Sequence, residues 1–214
     1  MYEHIKCEPV SIDVEAAVAD TAHMLESWPW RGPATVPYAL RPYIEGKRAC
    51  DLGCGGGDLT WSMGRWAESV LGVELDATRY KRAVSYGSGI NPLRQLDNVK
   101  LQRLDYFKDF PSADVYYFWP NDPNTMDKLV ETIEQSGHKC LLAAGARLSF
   151  LDSERAGETL AYSKGPRSCR LLKHTDARGG KVLSFPFKEQ SVIPEWPDEG
   201  TWVAALIPFK GYEI

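Results

Sequence analysis

The stretch ACDLGCGGGDLT, residues 49–60, reads as a short buried strand, a glycine-rich turn and the first turn of a helix. Gly53, Gly55 and Gly57 lack Cβ atoms, so the chain can adopt a positive φ there and bring backbone N–H groups against a ligand. Asp51 lies on the strand just before the first glycine, at the carboxyl end where open α/β sheets bind ligands. Its carboxylate favours a cationic, donor-rich ligand. The stretch therefore predicts a nucleotide-binding corner.

The spacing of the glycines separates two classes of nucleotide cofactor. A dinucleotide-binding fingerprint has the pattern Gly-x-Gly-x-x-Gly, and its third glycine lets the helix pack closely on the strand. Counting from Gly53, that third position is Asp58. A carboxylate at the start of this helix would also repel the pyrophosphate that helix N-termini attract. The sequence therefore disfavours an NAD-dependent oxidoreductase.

A second acidic residue ends the next predicted strand. The run Val70–Asp76 is apolar enough for a buried parallel strand, and Glu74 lies 23 residues after Asp51. A carboxylate there can bind the two hydroxyls of a ribose, although dinucleotide enzymes use an acid at this distance too. Residues at helical spacing between the two motifs predict a crossover helix: Leu59, Met63, Trp66 and Val70. The resulting βαβ unit places both acids at one edge of the sheet.

Together the two motifs resemble the cofactor site of the class I S-adenosylmethionine-dependent methyltransferases. Motif I of that family, Asp/Glu-x-Gly-x-Gly-x-Gly, is matched by Asp51, Gly53, Gly55 and Gly57. The resemblance runs over residues 36–209, and its motifs are sharp from residue 51 to residue 119. It implies a methyltransferase with S-adenosylmethionine as its cofactor.

Outward from the motifs, helical and extended patterns alternate along the chain. Helices are predicted at Ser11–Trp28, Val36–Ile44, 76–86 and 126–137, strands at Val99–Leu104, Asp114–Trp119 and Cys140–Ala144, and a terminal hairpin at Lys181–Phe187 and Thr201–Phe209. This order matches the family's α/β fold, a mostly parallel, doubly wound, seven-stranded sheet with helices on both faces and a C-terminal antiparallel hairpin. We expect one domain over residues 1–214, with an N-terminal helical cap at 1–45 and a Rossmann-like core at 46–214.

The resemblance also implies most of the cofactor contacts. In the family, the acid after the second strand binds the ribose hydroxyls, which is the role implied for Glu74. An acid after the third strand binds the adenine amino group; Asp105 matches it and Tyr106 can cover the adenine face, although Asp105 can equally cap a turn. Cys54 is expected to be a small filler of the loop and not a nucleophile. The expected cofactor-binding residues are Asp51, Gly53, Cys54, Gly55, Gly57, Glu74, Leu75, Asp105, Tyr106 and Trp119.

The end of the fourth predicted strand supplies the catalytic candidates. In the family this position faces the transferred methyl group. A sulfonium methyl is already activated, so an enzyme mainly needs to place a nucleophile about 3–3.5 Å from it. Trp119, Asn121 and Asp122 can orient an acceptor, and Asp122 can act as a base or hydrogen-bond acceptor. The same residues can instead form a turn and helix N-cap, and they depart from the Asn/Asp-Pro-Pro-Tyr signature of amino-methylating nucleic-acid enzymes.

Composition is that of a compact α/β domain. The chain has 214 residues, 43% of them hydrophobic, and a formal net charge of −4. Because an acidic chain has no overall field for a polyanion, a small molecule or a protein is favoured as the acceptor, with nucleic acid as an alternative. The five cysteines are odd in number and show neither CxxC pairing nor zinc-site spacing, so we expect a cytoplasmic location and no bound metal. No apolar run approaches the length of a membrane span.

Two further features leave alternatives open. Basic residues are concentrated in one segment, which is either a solvated surface or a contact for a phosphorylated or acidic acceptor: Lys164, Arg167, Arg170, Lys173, Arg178 and Lys181. The turn at residues 55–58 is also similar to the Gly-Gly-Gly-Asp-Gly turn of the spermidine-synthase relatives, which transfer an aminopropyl group from decarboxylated S-adenosylmethionine. Leu59 stands where those enzymes have a glycine. A non-catalytic cofactor-binding module is the third alternative.

Overall fold

The computed structural model describes residues 7–21, 35–86, 96–119, 123–147, 166–188 and 199–214. These residues form eight strands and six helices in the order β1 (Cys7–Pro9), α1 (Val14–Thr21), α2 (Thr35–Ile44), β2 (Arg48–Leu52), α3 (Asp58–Met63), β3 (Ser69–Glu74), α4 (Ala77–Tyr86), β4 (Val99–Arg103), β5 (Val115–Phe118), α5 (Pro123–Ser136), β6 (Cys140–Arg147), α6 (Pro166–Ala177), β7 (Lys181–Lys188) and β8 (Glu199–Phe209).

The eight strands form one sheet, in the order β1-β7-β8-β6-β5-β2-β3-β4. Strand β8 runs antiparallel to its neighbours β6 and β7, and the other neighbouring pairs are parallel. The chain moves outward from β2 through β3 to β4, then returns to β5 on the other side of β2. Open α/β sheets bind their ligands at such a reversal, outside the carboxyl ends of the strands. The crevice above β2 and β5 is therefore where this fold offers a binding site.

Helices cover both faces of the sheet, as predicted. Successive residues of a strand point to opposite faces, so Cys50 and Leu52 join one apolar cluster while Ala49 joins another. The first cluster includes residues of α5 and α6, and the second includes residues of α2 and α3. Residues Cys140–Ala144 of β6 are each 0% exposed, which is typical of a central strand covered on both faces.

A glycine in β3 brings helix α3 close to the sheet. Gly72 pairs with Asp51 in the register of β2 and β3, and a Cβ at Gly72 would lie 2.7 Å from Cγ2 of Thr60 and 2.7 Å from Cδ2 of Leu101. Any larger residue would push α3 away from the strands. Because Gly72 has no side chain, the hydroxyl of Thr60 reaches the carboxylate of Asp51.

The number of strands was predicted wrongly. The sheet has eight strands and not seven, because β1 pairs in parallel with β7 at one edge. The segment 1–45, expected to be a helical cap, therefore contains a strand that belongs to the sheet. A strand of three residues is too short to show hydrophobic alternation, and Pro9 argues against a strand unless it lies at an edge, as here.

Several helices also differ from their predicted bounds. Of the helix expected over Ser11–Trp28, the structure has Val14–Thr21, and residues 22–34 lie outside the described residues. Helix α3 ends at Met63, before Trp66, and Val70 lies in β3, as the strand predicted to begin there requires. Helix α6 was not predicted at all.

The expected C-terminal hairpin is confirmed, since β7 and β8 pair antiparallel along Lys181–Lys188. Within the described part of the chain, none of the helices has the length and apolar character needed to cross a bilayer.

Candidate functional site

The loop between β2 and α3 lies at the carboxyl edge of the sheet and has the backbone that the sequence predicts. Gly53, Gly55 and Gly57 have φ angles of 75°, 56° and 84°, values that L side chains rarely adopt. The N–H groups of Gly53 and Cys54 both donate to the carbonyl oxygen of Val73 at 2.9 Å, which fixes the loop to β3. A Cβ on Gly53 or Gly55 would meet no atom within 4 Å. The glycines are therefore required by the backbone angles, and the space above two of them is open.

Asp51 is a buried carboxylate at the end of β2. It is 3% exposed, and its Oδ2 accepts a hydrogen bond from Oγ1 of Thr60 at 2.6 Å. Burial raises the pKa of Asp51 to about 7, the Thr60 hydrogen bond acts in the opposite direction, and the nearby carboxylates of Asp58 and Glu74 raise the pKa further. The Asp51 carboxyl group therefore titrates near neutral pH. A cation bound beside it would favour the ionised form.

Glu74 is the second buried carboxylate and ends β3. It is 6% exposed; its Oε2 accepts the N–H of Gly55 at 3.0 Å and its Oε1 accepts the N–H of Asp76 at 2.8 Å. The sequence predicted this residue as a ligand of a ribose but not its contact with the glycine loop. Because each carboxylate oxygen has two lone-pair sites, these backbone bonds leave capacity for further donors.

Leu75 places apolar surface next to Glu74. Its side chain is 56% exposed, an uncommon exposure for a large hydrophobic residue in the described part of this chain. Its backbone is held, since its carbonyl oxygen accepts Nε–H of Arg103 at 3.2 Å. An exposed leucine beside a buried carboxylate can pack against the flat face of a nucleobase.

Asp105 and Tyr106 follow β4 at the same edge. Oδ1 of Asp105 accepts the N–H of Phe107 at 3.1 Å, which is the turn-capping interaction that the sequence left as an alternative. Its Oδ2 lies 3.5 Å from Nζ of Lys108. Burial raises the pKa of Tyr106 to about 12, and the carboxylates of Glu74 and Asp105 add to this. The charge of Glu74 therefore acts on the Tyr106 hydroxyl.

The three catalytic candidates are only partly described. Trp119 follows β5, is half-buried and packs against the apolar cluster of α2 and α3. Asn121 and Asp122 lie outside the described residues. Their role stays a prediction.

Sequence reasoning missed two polar residues around Asp51. Thr60 donates to it, and Tyr117 of β5 is its register partner across the β2–β5 pair. The Tyr117 hydroxyl is buried without a hydrogen-bond partner among the described residues. Burial raises the pKa of Tyr117, and the charge of Asp51 adds to the shift. Neither residue could be identified from the sequence. Helix packing brings Thr60 to Asp51, and strand pairing places Tyr117 opposite it.

The Cys54 thiol in the glycine loop is not reactive. Burial raises the pKa of the Cys54 thiol, and the carboxylates of Asp51 and Glu74 raise it further, so this cysteine stays protonated and unreactive. Cys7, Cys50 and Cys140 are also free thiols. Among the residues that the structure describes, His, Cys, Asp and Glu form no group of three or more that could hold a metal ion.

Several cations of the basic segment already have acidic partners. Arg170 Nη1 lies 2.6 Å from Oδ2 of Asp127 on α5, and Arg178 pairs with Glu134 on the same helix. Lys181, the last of these residues, lies 2.8 Å from Oε2 of Glu8. Lys164 and the side chain of Arg167 lie outside the described residues. These ion pairs tie α6 and β7 to their neighbours.

Comparison with solved structures finds this fold in several methyltransferases. A putative RNA methyltransferase from Pyrococcus horikoshii is 15% identical, with a TM-score of 0.58 and coverage of 92% of this chain and 99% of that chain. An O-methyltransferase from Bacillus cereus in complex with SAH is 12% identical, with a TM-score of 0.54 and coverage of 91% and 90%. A putative O-methyltransferase from Klebsiella pneumoniae is 13% identical, with a TM-score of 0.54 and coverage of 92% and 90%.

No protein-family model matches the sequence, and no curated protein matches it at a significant level. The structural likeness, at these identities, establishes the fold. The chain has the fold of the class I S-adenosylmethionine-dependent methyltransferases, as its motifs indicated.

Proposed function

We propose that this chain is an S-adenosylmethionine-dependent methyltransferase that transfers a methyl group by in-line displacement. The observation that carries the proposal is the pair of buried carboxylates, Asp51 and Glu74, on adjacent parallel strands beside an open glycine loop. S-adenosylmethionine presents a cationic amino-acid end and a ribose diol. Two acids and a loop with positive φ angles match those groups in charge and in donor character.

Each site residue then has a definite task. Glu74 accepts hydrogen bonds from the ribose hydroxyls while it keeps its bond to the loop N–H of Gly55. Asp51 binds the ammonium group of the amino-acid end, which stabilises its ionised form. The backbone of the loop, Gly53, Cys54, Gly55 and Gly57, approaches the amino-acid end.

The apolar side chain of Leu75 and the ring of Tyr106 would hold the adenine. Oδ2 of Asp105 receives the adenine amino group, since Oδ1 is engaged with the N–H of Phe107. This oxygen has two lone-pair sites and can keep its contact with Nζ of Lys108 at 3.5 Å.

The reaction itself demands little acid–base chemistry from the protein. The bound cofactor supplies a sulfonium methyl, which is already an electrophile. Trp119, Asn121 and Asp122, which follow β5 in the sequence, place the acceptor in line with the methyl group. Asp122 accepts the acceptor's proton where one must be removed. Most of the rate enhancement comes from holding the nucleophile about 3–3.5 Å from the carbon.

The acceptor is a small molecule or a protein by the balance of charge, with RNA as the alternative. The net charge of −4 provides no overall attraction for a polyanion, and Arg170 and Arg178 are already paired with acids. One structural neighbour is a putative RNA methyltransferase, so RNA belongs in any acceptor screen. We place the reaction in the cytoplasm, where free thiols such as Cys7 and Cys50 persist.

Calorimetric titration of the purified chain tests the cofactor assignment. We expect S-adenosylmethionine and its demethylated product to bind in the micromolar range, a typical scale for such substrates, and NAD to give no heat. Tighter binding of decarboxylated S-adenosylmethionine would favour aminopropyl transfer. No heat and no thermal shift with S-adenosylmethionine or its product would refute the proposal.

A non-catalytic module is tested separately, by turnover. We expect methyl transfer from labelled S-adenosylmethionine to at least one acceptor in a screen of carboxylated and phosphorylated metabolites, proteins and RNA. Binding of the cofactor without transfer to any of these would support the binding module instead.

A further inference from the structure

A second cavity lies at the edge of the sheet opposite the glycine loop. It has a volume of about 270 Å³ and an apolar wall made of Ile133, Pro208 and Phe209. Phe209 ends β8 and pairs with Cys140, the first residue of β6. The cavity therefore lies at the amino ends of the parallel strands, whereas Asp51 and Glu74 lie at their carboxyl ends.

The polar wall of this cavity carries a surplus positive charge. Glu134, His138, Arg178 and Lys210 form it. Arg178 and Glu134 pair with each other, and the guanidinium of Arg178 also donates to the carbonyl oxygen of His174 at 3.3 Å and stacks 5.2 Å from the centre of the Phe209 ring. These two charges cancel, and both side chains are held in place. The charge of Lys210 remains.

Lys210 lines the cavity and has an unusual backbone conformation. Its φ angle of 48° is positive, and among the described non-glycine residues it is alone in that respect. Its Nζ lies beside Gly137 at the end of α5, where a Cβ would be 2.6 Å from it, and the φ of 72° at this position favours glycine. Within the described part of the chain no carboxylate pairs with Lys210. Its ammonium group is therefore an exposed cation in the wall of the cavity that no described carboxylate neutralises.

His138 adds a ring nitrogen of defined role. The Tyr116 hydroxyl lies 2.6 Å from the carbonyl oxygen of Pro111, which can only accept, so the hydroxyl proton points there. Nδ1 of His138, 2.9 Å from the same hydroxyl, must then carry a proton and donate it. In the neutral ring the other nitrogen, Nε2, is then an acceptor, so the negative charge of a ligand belongs at Lys210 and not at His138.

We propose that this cavity binds a small organic anion, with a single negative charge against Lys210 and an apolar body against Pro208 and Phe209. The lining carries one net positive charge when His138 is neutral, which suits a carboxylate and opposes a polyphosphate because Glu134 would repel it. The volume lies just below the roughly 300–1,000 Å³ of common small-molecule pockets, which favours a small ligand. The site is separate from the cofactor crevice and does not depend on the proposed function.

Benzoate, benzamide and inorganic phosphate are suitable probes, because they separate the charge from the apolar body. Titration into the full chain, followed by calorimetry or ligand-observed NMR, should show binding of benzoate, with benzamide and phosphate at least tenfold weaker. Lys210→Gln should weaken benzoate by about tenfold or more, the scale for loss of a hydrogen bond to a charged group. The exposed neighbour Lys139, which does not line the cavity, provides the matched control Lys139→Gln.

Three results with the probes and the lysine variants would overturn the site. They are no benzoate binding to the wild-type chain, equal affinity for benzamide and benzoate, or equal affinity of Lys210→Gln and Lys139→Gln for benzoate. Glu74→Ala, at the other edge of the sheet, should leave benzoate binding unchanged. If Glu74→Ala abolished it, the probe would be binding in the cofactor crevice, which would also refute the site.

Discussion

Glu74 accepts a hydrogen bond from the backbone N–H of Gly55 at 3.0 Å, so one carboxylate joins the end of β3 to the glycine loop that follows β2. The other oxygen of Glu74 accepts the N–H of Asp76 at the start of α4. This residue therefore shapes the loop before any ligand arrives. In the proposed function it also binds the ribose, which couples the conformation of the loop to occupation of the site.

Replacing Glu74 should weaken cofactor binding without unfolding the chain. Glu74→Gln keeps the size of the side chain but removes its charge and turns one acceptor oxygen into a donor that faces an N–H group. We expect S-adenosylmethionine to bind more weakly by about 1–3 kcal/mol, as measured by calorimetry. The control is Glu68→Gln, an exposed residue just before β3. Unchanged affinity in a folded Glu74→Gln variant would remove the ribose assignment.

The open space above Gly55 should be occupied by the cofactor. Gly55→Ala introduces a Cβ into a position where the protein itself has no atom within 4 Å, and at a φ of 56° that also strains the backbone. Gly46, with a φ of 67° and equally open surroundings, lies in the turn before β2 and away from the site. Both variants should lose about 1–2 kcal/mol of unfolding free energy, measured by urea denaturation.

Only Gly55→Ala should lower the affinity for S-adenosylmethionine, by at least tenfold, whereas Gly46→Ala should bind it as the wild type does. Wild-type affinity in Gly55→Ala would mean that the cofactor does not approach this part of the loop.

The acids and glycines of the site could be predicted from sequence because their signals are local. Asp51 and Glu74 each end a short apolar run, and the three positive φ angles follow from the glycines themselves. Thr60 and Tyr117 could not be found in this way. Thr60 reaches Asp51 because Gly72, on another strand, leaves room for it, and Tyr117 faces Asp51 through the pairing of β2 with β5.

The fold shows the same division between local and distant causes. The positions of the buried strands were predicted closely because continuous apolar runs indicate such strands. Helix α6 has few apolar residues, and it is held in part by Arg170 and His174, which bind Asp127 on α5. Strand β1 exists through its pairing with β7. Contacts between segments far apart in the chain leave no periodicity that a single sequence can show.

Asp51 should make the stability of the chain depend on pH. Its pKa is raised by burial from 3.8 to about 7 in the folded state, so the folded chain binds this proton more tightly than the unfolded chain does. The stabilising contribution is complete below about pH 4 and is lost as the pH rises through about 7. Asp51→Asn cannot ionise, so it should be more stable than the wild type at pH 8, by up to about 4 kcal/mol.

Urea denaturation at pH 8 and pH 5 measures this difference, which should narrow at the lower pH. Asp97→Asn, an exposed acid before β4, should show no such pH-dependent gap. A lower unfolding free energy for Asp51→Asn than for the wild type at pH 8 would mean that burial of the ionised carboxylate does not destabilise the folded chain.

The same titration should govern the affinity for the cofactor. A cationic ligand prefers ionised Asp51, so the affinity of the wild type for S-adenosylmethionine should rise from pH 6 to pH 8 by up to about tenfold, as a group with a pKa of about 7 ionises. Asp51→Asn should bind more weakly and lose this part of the pH dependence. The ligand's own titration is common to both proteins, so the difference between the two pH profiles belongs to Asp51. Parallel profiles would place the ammonium group elsewhere.

Asp122 should affect turnover and not cofactor binding. It follows β5, whose last residues lie beside Asp51, and in the proposed reaction it orients the acceptor or takes its proton. Asp122→Asn keeps the shape of the side chain and removes the base, so with an identified acceptor kcat should fall by about 10²–10⁴-fold, the usual contribution of a general base. The dissociation constant of S-adenosylmethionine should stay within about twofold, with Asp97→Asn as the control. Joint loss of cofactor binding and turnover would place Asp122 in the cofactor site, and loss of neither would leave it with a role in the turn alone.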